Sequence, residues 1–231
     1  MKSNLLNAMA SFLMCLAIYY GLESKSFAGA TALFDGTTLN GWVEAKKNPT
    51  NSAGWMVKDG AMASTGAGRG VLYTSNDYSH YRLMFTMRHV SGKPDHAACF
   101  LIFCTRPQGD EKPLDALGGI QFQPPNGGSW DYRPGQNNAG KGEFTRPEHP
   151  KFDSHEWSRV EIVVDAKTGT ARMAVAQPVG AKAVEVLNFH VPEAGKVGPI
   201  AWQMHNAGLF DEYKDVTIET DPASDELVTT K

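Results

Sequence analysis

Apolar and polar residues alternate with a period of two along most of the chain after its N-terminal segment. In HYRLMFTMRHV, for example, Tyr81, Leu83 and Phe85 alternate with Arg82 and Thr86. Alternation of this kind is typical of a β-strand with one buried face. No part of this region shows a long helical period, so the pattern predicts about ten to twelve strands separated by turns.

Turn residues between these runs predict hairpins. Asp59-Gly60 stands between the runs WMVK and AMAS, and Asp-Gly is a strong signal for a two-residue hairpin loop. The run SRVEIVVD returns as TARMAVA after the turn at Lys167-Thr168-Gly169. We therefore predict one all-β domain made of two packed antiparallel sheets.

The run AACFLIFC is apolar at every position and is predicted to be a central strand covered on both faces. It contains Cys99 and Cys104, which would point to opposite faces if the strand were continuous. Their Cα atoms would then be roughly 16 Å apart at ~3.3 Å per residue, which is too far for a disulfide. We predict two small, buried, unpaired thiols.

The N-terminal segment has the pattern of a secretory signal peptide. Lys2 precedes an apolar run, and Ser26 and Ala28 occupy the small-residue positions before a cleavage site. The apolar run of roughly 13 residues is shorter than the ~20 that span a bilayer. This difference favours cleavage over a permanent membrane anchor, and it predicts a secreted or periplasmic protein.

Composition and charge limit the domain organisation and the functions that the rest of the chain can have. The predicted divisions are a signal peptide (1–28), a β domain (29–222) and a flexible C-terminal tail (223–231). A net charge of −3 gives no electrostatic support for nucleic-acid binding. No second apolar segment follows, so no membrane contact is predicted after cleavage, and the sequence leaves the oligomeric state open.

A stretch from about residue 125 to 154 is rich in Gly, Pro, Asn and charged residues. Connections of this length usually bind something or are disordered. Trp130, Tyr132 and Phe144 argue against disorder, because disordered segments contain few aromatic residues. Trp130 and Tyr132 are therefore candidates for stacking against a ligand, and Asp131 between them is a candidate polar contact.

Two short predicted strands carry polar side chains on one face only. In GPIAWQMHNAG, the apolar positions alternate with Gln203 and His205, and in GGIQFQPP they alternate with Gln121 and Gln123. If both strands lie in one sheet, these four side chains converge on one groove. Amides offer both donors and acceptors, which suits the hydroxyl groups of a sugar.

Five motifs, in this order along the chain, resemble the 3-keto-disaccharide hydrolase domain family. They are LFDGTTLNGW, WMVKDG, GIQFQ, EWSRVEI and GPIAWQMHN, and the resemblance spans residues 33–220. The resemblance implies a concanavalin A-like jelly-roll sandwich whose concave face forms the ligand groove. It also implies secreted enzymes that act on sugars oxidised at the 3-position.

The sequence departs from the family pattern at two places. The family usually has Glu where Gln121 stands. It also often carries an Arg in the preceding strand, whereas the strand AACFLIFCT has none and Arg106 lies just beyond it. Two functions therefore remain open. The first is cleavage of glycosidic bonds in 3-keto-glycosides by elimination and hydration, and the alternative is a non-catalytic carbohydrate-binding module of lectin or laminin-G type.

The elimination route assigns roles to these residues. A 3-keto sugar has an acidic C2–H, so a base near neutral pKa is needed, and histidine suits that role. We predict His205 and Gln121 as the catalytic residues. The predicted substrate-binding residues are Gln123, Gln203, Trp130, Tyr132 and Asp131.

The sequence requires no cofactor, although it is compatible with a divalent cation. The side chains available as ligands are His96, Asp131, Glu143 and His205. They do not form a closely spaced metal-binding motif. A carbohydrate ligand is the predicted partner.

Overall fold

The computed structural model describes residues 29–46, 54–68, 70–93, 99–106, 117–126, 128–131, 144–204 and 206–231, with the backbone alone at 46 and 129–131. The predicted signal peptide, residues 1–28, lies outside the described residues. Within the described ranges, no helix has the length and apolar composition needed to cross a membrane.

Strands dominate the described part of the chain, which contains fifteen of them and two short 3-10 turns. The first eight are β1 Thr31–Ala32, β2 Trp42–Lys46, β3 Trp55–Lys58, β4 Ala61–Ser64, β5 Gly70–Thr74, β6 His80–Ser91, β7 Cys99–Ile102 and β8 Ile120–Gln123. The others are β9 Gly128–Asp131, β10 Phe144–Thr145, β11 Ser158–Asp165, β12 Thr170–Ala176, β13 Val184–His190, β14 Ala201–Met204 and β15 Phe210–Thr220.

The strands form two antiparallel sheets. The large sheet has nine strands in the order β10-β13-β12-β11-β6-β15-β4-β3, with β1 added beside β15. The small sheet has six strands in the order β2-β5-β14-β7-β8-β9. The all-β, two-sheet prediction is confirmed, and the described strands exceed the expected number partly because β1 and β10 have only two residues each.

The predicted hairpins are also present. Asp59 and Gly60 connect β3 and β4 with φ angles of 50° and 75°. Two successive residues in the left-handed region match a type I′ turn, the turn that Asp-Gly favours. The second hairpin joins β11 to β12 through Gly169, at φ 66°.

The main core lies between the two sheets and follows the alternation of the sequence. Leu83 and Phe85 of β6 and Val160 of β11 point inward from the large sheet, and Phe122 and Trp202 point inward from the small sheet. All five are almost completely buried. The predicted faces of these strands are therefore confirmed.

Cys99 and Cys104 are both buried and unpaired, as expected. The prediction that they point to opposite faces is wrong. Strand β7 ends at Ile102, and Phe103 has a φ of 52°. This left-handed residue breaks the alternation, so Cys104 joins Leu101 in the small cluster on the outer face of the small sheet.

Arg82 and Glu161 form a buried ion pair on the outer face of the large sheet. Nε of Arg82 donates to Oε1 of Glu161 at 2.9 Å, and the side chains are 5% and 0% exposed. The guanidinium also contacts Glu219 and two backbone carbonyls of the C-terminal segment. The carboxylate accepts from the N–H groups of Val228 and Thr229, both at 2.9 Å.

An apolar contact adds to this attachment. Leu227 is 2% exposed and belongs to a buried cluster with Val163, Ala174, Ala176 and Ala183. The sequence predicts a flexible tail over residues 223–231. Here residues 227–229 lie against the large sheet because one side chain and two N–H groups find partners there, while the flexibility of the segment stays a prediction.

We expect Glu161→Ala to lower the free energy of unfolding by about 3–5 kcal/mol, because it breaks a buried ion pair and removes the acceptor of the Val228 and Thr229 N–H groups. The matched control is Glu185→Ala, which removes a carboxylate from the Arg172–Glu185 pair on the same sheet. That pair is 36% and 23% exposed, so its loss should cost less than about 1 kcal/mol. Urea unfolding of both variants checks this, and equal costs would contradict it.

Candidate functional site

Three glutamines gather around Cys99 on the face of the small sheet that points away from the main core. Strand β8 turns Ile120 and Phe122 into that core, so Gln121 and Gln123 point to the other side. Strand β14 does the same with Trp202 inward and Gln203 outward. Strand β7 lies between β8 and β14, and Cys99, Gln121, Gln123 and Gln203 are called the glutamine cluster below.

The contacts within the glutamine cluster centre on the sulfur. Nε2 of Gln121 donates to Sγ of Cys99 at 2.6 Å, and Nε2 of Gln123 lies 3.8 Å from the same sulfur. Gln203 is the register partner of Cys99 across the β7–β14 pair. The structure therefore brings together all three glutamines that the sequence predicted for the site.

The glutamine cluster is much less accessible than an open groove would be. Gln121 and Gln203 are each 1% exposed, and Cys99 is fully buried. A small apolar cluster on the same face includes Val71, Leu101 and Ala201. Gln123 alone of the three glutamines is partly exposed, so it is the member that solvent or a ligand reaches first.

The thiol of Cys99 stays neutral in this environment. Burial raises its pKa to about 12, against a smaller opposite effect from the amide of Gln123. Burial also raises the pKa of the Cys104 thiol. Because the thiolate is the nucleophilic form of cysteine, neither residue suits covalent catalysis.

A cavity of about 570 Å³ adjoins the glutamine cluster at one end of the sandwich. Gln123 contributes to its lining, together with the turn between β8 and β9 and the segment 151–155. Its volume falls within the range of small-molecule binding sites, about 300–1,000 Å³. The lining combines the buried Phe152 with the polar side chains of Asn126, Lys151, Asp153 and His155.

Side-chain amides hold the wall of this cavity in place. Asn126 bridges the turn to the wall, since its Nδ2 donates to the carbonyl of Phe152 at 3.1 Å and its Oδ1 accepts from the Phe152 N–H at 2.9 Å. Gln177 accepts from the N–H of Asp153 at 2.9 Å and donates to its carbonyl at 2.7 Å. The wall is therefore fixed from both sides.

The cavity wall also connects to a buried histidine–aspartate contact that the sequence pattern does not reveal. Nδ1 of His155 donates to the carbonyl of His89 at 3.1 Å. The His89 imidazole lies 2.7 Å from Oδ1 of Asp211, and both side chains are fully buried. In the sequence, His89 and Asp211 are separated by 122 residues, so only the pairing of β6 with β15 reveals them.

Several predicted site residues lie beyond what the structure describes. His205 and Tyr132 lie outside the described residues, as do the candidate metal ligands His96 and Glu143. For Trp130 and Asp131 the backbone alone is described, with Trp130 the register partner of Gln121. Within the described ranges, no group of three or more His, Cys, Asp or Glu side chains could hold a metal ion.

The fold places the chain among the concanavalin-like jelly-roll sandwiches. A proposed glycosyl hydrolase from Parabacteroides distasonis ATCC 8503 aligns with a TM-score of 0.57 at 15% identity, over 84% of this chain and 94% of its own. The carbohydrate-binding module CBM66 from Bacillus subtilis aligns with a TM-score of 0.53 at 13% identity, over 78% and 96%. Identities this low show a shared fold.

A third structure of the same class is the exoplasmic/lumenal domain of VIP36, solved with Ca²⁺ and Man3GlcNAc. It aligns with a TM-score of 0.56 at 8% identity, over 85% of this chain and 90% of its own. The three neighbours thus include a proposed hydrolase and two sugar-binding domains. The fold they share is therefore compatible with both functions that the sequence left open.

The chain belongs to the 3-keto-alpha-glucoside-1,2-lyase-like domain family, whose model matches residues 29–219. The match covers β1 to β14 and all but the last residue of β15. The family resemblance inferred from the five sequence motifs is thereby confirmed. Among curated proteins, none matches this sequence significantly.

Both cysteines are expected to resist alkylation in the folded protein, because burial raises their pKa values and leaves almost no thiolate near neutral pH. For Cys99 the thiol form persists until the pH approaches about 12. Iodoacetamide treatment at pH 8, followed by mass spectrometry of the peptides, measures this. The control is the same protein in urea, where both thiols should react, and equal rates in the two conditions would contradict the burial argument.

Proposed function

We propose that this domain cleaves the glycosidic bond of 3-keto-glycosides by elimination followed by hydration. The observation that carries the proposal is that three glutamines gather on the sheet face opposite the core, next to a cavity of about 570 Å³. Membership of the 3-keto-alpha-glucoside-1,2-lyase-like family supplies the substrate class.

The glutamine cluster suits a neutral ligand with many hydroxyl groups. Each carboxamide carries one acceptor oxygen and two N–H donors, and a sugar hydroxyl can both donate and accept. Gathering three amides on a sheet face, with Gln121 and Gln203 buried, gives no advantage in packing, since polar groups lose hydration when they leave water. Their convergence beside a cavity is therefore better explained by recognition than by folding.

The proposed reaction begins with loss of the proton at C2 of the 3-keto sugar. The electron pair of the C2–H bond moves toward the carbonyl and forms an enolate. It then forms a C1=C2 double bond as the C1–O bond breaks, and the leaving oxygen takes a proton. Water afterwards adds its hydroxyl to C1 and its proton to C2, so the net result is hydrolysis.

This route needs a base, a group that stabilises the enolate oxygen, and an acid for the leaving group. We propose His205, which directly follows β14 in the sequence, as the base or acid. Amide donors such as Gln203, or a divalent cation, would stabilise the enolate. We propose that Gln123, Trp130, Tyr132 and Asp131 contact the sugar.

We further propose that the domain acts in the periplasm or outside the cell after removal of residues 1–28. The support is the N-terminal sequence, in which a basic start, an apolar run and small residues follow in the order of a signal peptide. The two unpaired cysteines do not conflict with this location. Both are buried, which protects them from oxidation.

A non-catalytic sugar-binding module is the second candidate function. One observation favours it: the glutamine cluster holds amides and a neutral thiol, and it contains no carboxylate among its four defining side chains. The similarity to CBM66 is compatible with this candidate. In that case the sheet face and cavity would bind an unmodified sugar without cleaving it.

We expect the purified protein to cleave an α-linked glucose disaccharide oxidised at C3, which releases the second sugar as the leaving group. The unoxidised disaccharide should stay intact. Only the oxidised sugar has the acidic C2–H that elimination requires. His205→Ala should lower kcat by at least about 100-fold, the usual contribution of a general base. Chromatography of the released sugar measures both results.

The matched control is His190→Ala, since His190 is an exposed histidine on the large sheet. This variant should keep the activity of the unmodified protein. Unchanged turnover in His205→Ala would remove His205 from the mechanism. If the protein binds both disaccharides and cleaves neither, the enzyme proposal is wrong and the binding-module function is supported.

A further inference from the structure

Gln121 carries a hydrogen-bond acceptor that no described residue satisfies. Its Oε1 atom is buried, the residue is 1% exposed, and the oxygen has no partner within the described part of the chain. Buried polar atoms nearly always have a partner, because an unsatisfied one has lost its hydration without compensation. Because no residue in the described part of the chain satisfies it, this oxygen is a candidate contact for a ligand.

The contact with Cys99 determines which end of the Gln121 amide lacks a hydrogen-bond partner. Nε2 donates to Sγ of Cys99 at 2.6 Å. The sulfur is held as a neutral thiol by burial, which raises its pKa to about 12, and Nε2 of Gln123 approaches the same sulfur at 3.8 Å. With one N–H of Nε2 directed at the sulfur, Oε1 is the end of the Gln121 amide that lacks a partner among the described residues.

Gln177 shows how the same fold treats a glutamine with a structural role. Its Oε1 accepts from the N–H of Asp153 at 2.9 Å, and its Nε2 donates to the Asp153 carbonyl at 2.7 Å and to Oγ of Ser158 at 2.9 Å. Both ends of this amide are used. The contrast indicates that packing requirements alone do not account for Gln121.

We propose that Gln121 determines which sugars the site accepts, by offering Oε1 to a sugar hydroxyl, and that Cys99 is its positioning residue. This inference rests on the proposed function and names one contact within that site. Gln121 lies on the same face as Gln123, two positions earlier along β8, with their Cα atoms roughly 7 Å apart, and of the two only Gln123 lines the cavity. A ligand that enters through the cavity would pass Gln123 before it reaches Gln121.

The chemistry of the acceptor limits what it can bind. A ketone oxygen only accepts hydrogen bonds, so Oε1 cannot pair with the oxidised 3-position. It pairs instead with a hydroxyl elsewhere on the sugar, and loss of that hydroxyl leaves the buried oxygen unsatisfied. Stabilisation of the enolate then falls to donors other than Gln121, which makes Gln121 a specificity residue rather than a member of the proton-transfer machinery.

The first part of the test compares the stability of Gln121→Met and Gln177→Met in the full chain. Methionine has nearly the length of glutamine and removes both polar ends. Gln121→Met should unfold in urea at an equal or higher midpoint, because an unsatisfied acceptor is replaced by an apolar group. Gln177→Met should unfold at a lower midpoint, because it breaks bonds that hold the segment around Asp153.

The second part measures discrimination with defined probes: an α-linked glucose disaccharide, its 3-keto derivative, and the monodeoxy analogues of both. The unmodified protein should lose roughly tenfold in affinity or kcat/KM on one monodeoxy analogue, about the value of one hydrogen bond. Gln121→Met should show that loss on the parent sugars and no further loss on the analogue. Gln177→Met should discriminate like the unmodified protein.

A third pair of variants tests the positioning role. Cys99→Ser keeps an atom that accepts from Nε2 of Gln121, and it should keep more of the discrimination than Cys99→Ala. Equal discrimination in these two variants would remove Cys99 from the inference.

The outcomes separate this inference from the proposed function. If Gln121→Met is destabilised like Gln177→Met and still discriminates among the deoxy sugars, Gln121 is a structural residue and the inference is overturned. If the unmodified protein acts on the probes but treats all analogues alike, the inference fails while the proposed function stands. If it neither binds nor cleaves any probe, the proposed function fails first.

Discussion

The packing of Trp202 between the two sheets is the constraint on which the rest of the molecule depends. Its fully buried indole lies 5.1–5.3 Å, centroid to centroid, from four other rings. These belong to Trp42, Phe85, Phe100 and Tyr213, so strands from both sheets meet at one side chain. Aromatic contacts of this kind add about 0.5–1.5 kcal/mol each to the burial of their area. A strand anchored in this way cannot slip by one residue, since the slip would exchange its two faces.

The direction of the glutamine cluster follows from that anchor. With Trp202 pointing inward, Gln203 must point to the opposite face, and the same alternation in β8 sends Gln121 and Gln123 outward while Phe122 enters the core. The packing of the apolar side chains in the core therefore also fixes the position of the polar side chains on the opposite face of the same strands. The proposed sugar contacts would thus be held in fixed orientations, and such preorganisation lowers the entropic cost of binding.

The cavity is joined to the core by a different set of interactions. Its wall is held by the amides of Asn126 and Gln177, and behind it His155 bonds to the backbone of His89. The His89 side chain is buried against Asp211. A buried contact between two such polar side chains is costly to break, because it leaves a buried polar group without that partner. The end of the sandwich that carries the cavity is thus fixed by polar contacts, whereas the middle is fixed by aromatic packing.

The sequence by itself determined the longer strands, the faces of β8 and β14, and the family, whereas β9 and β10 lie in the stretch predicted as a connection. The period-two pattern distinguished Phe122 from Gln121 and Trp202 from Gln203, and Asp59-Gly60 marked a hairpin, because alternation and turn chemistry depend on neighbours along the chain. Only the tertiary structure decided which residues that are distant in the sequence become neighbours. It placed Cys99 against Gln121, brought the 151–155 wall to the end of β8, and turned Cys104 outward through the left-handed Phe103. These relations depend on pairing between distant strands and on one backbone angle, neither of which a local pattern encodes.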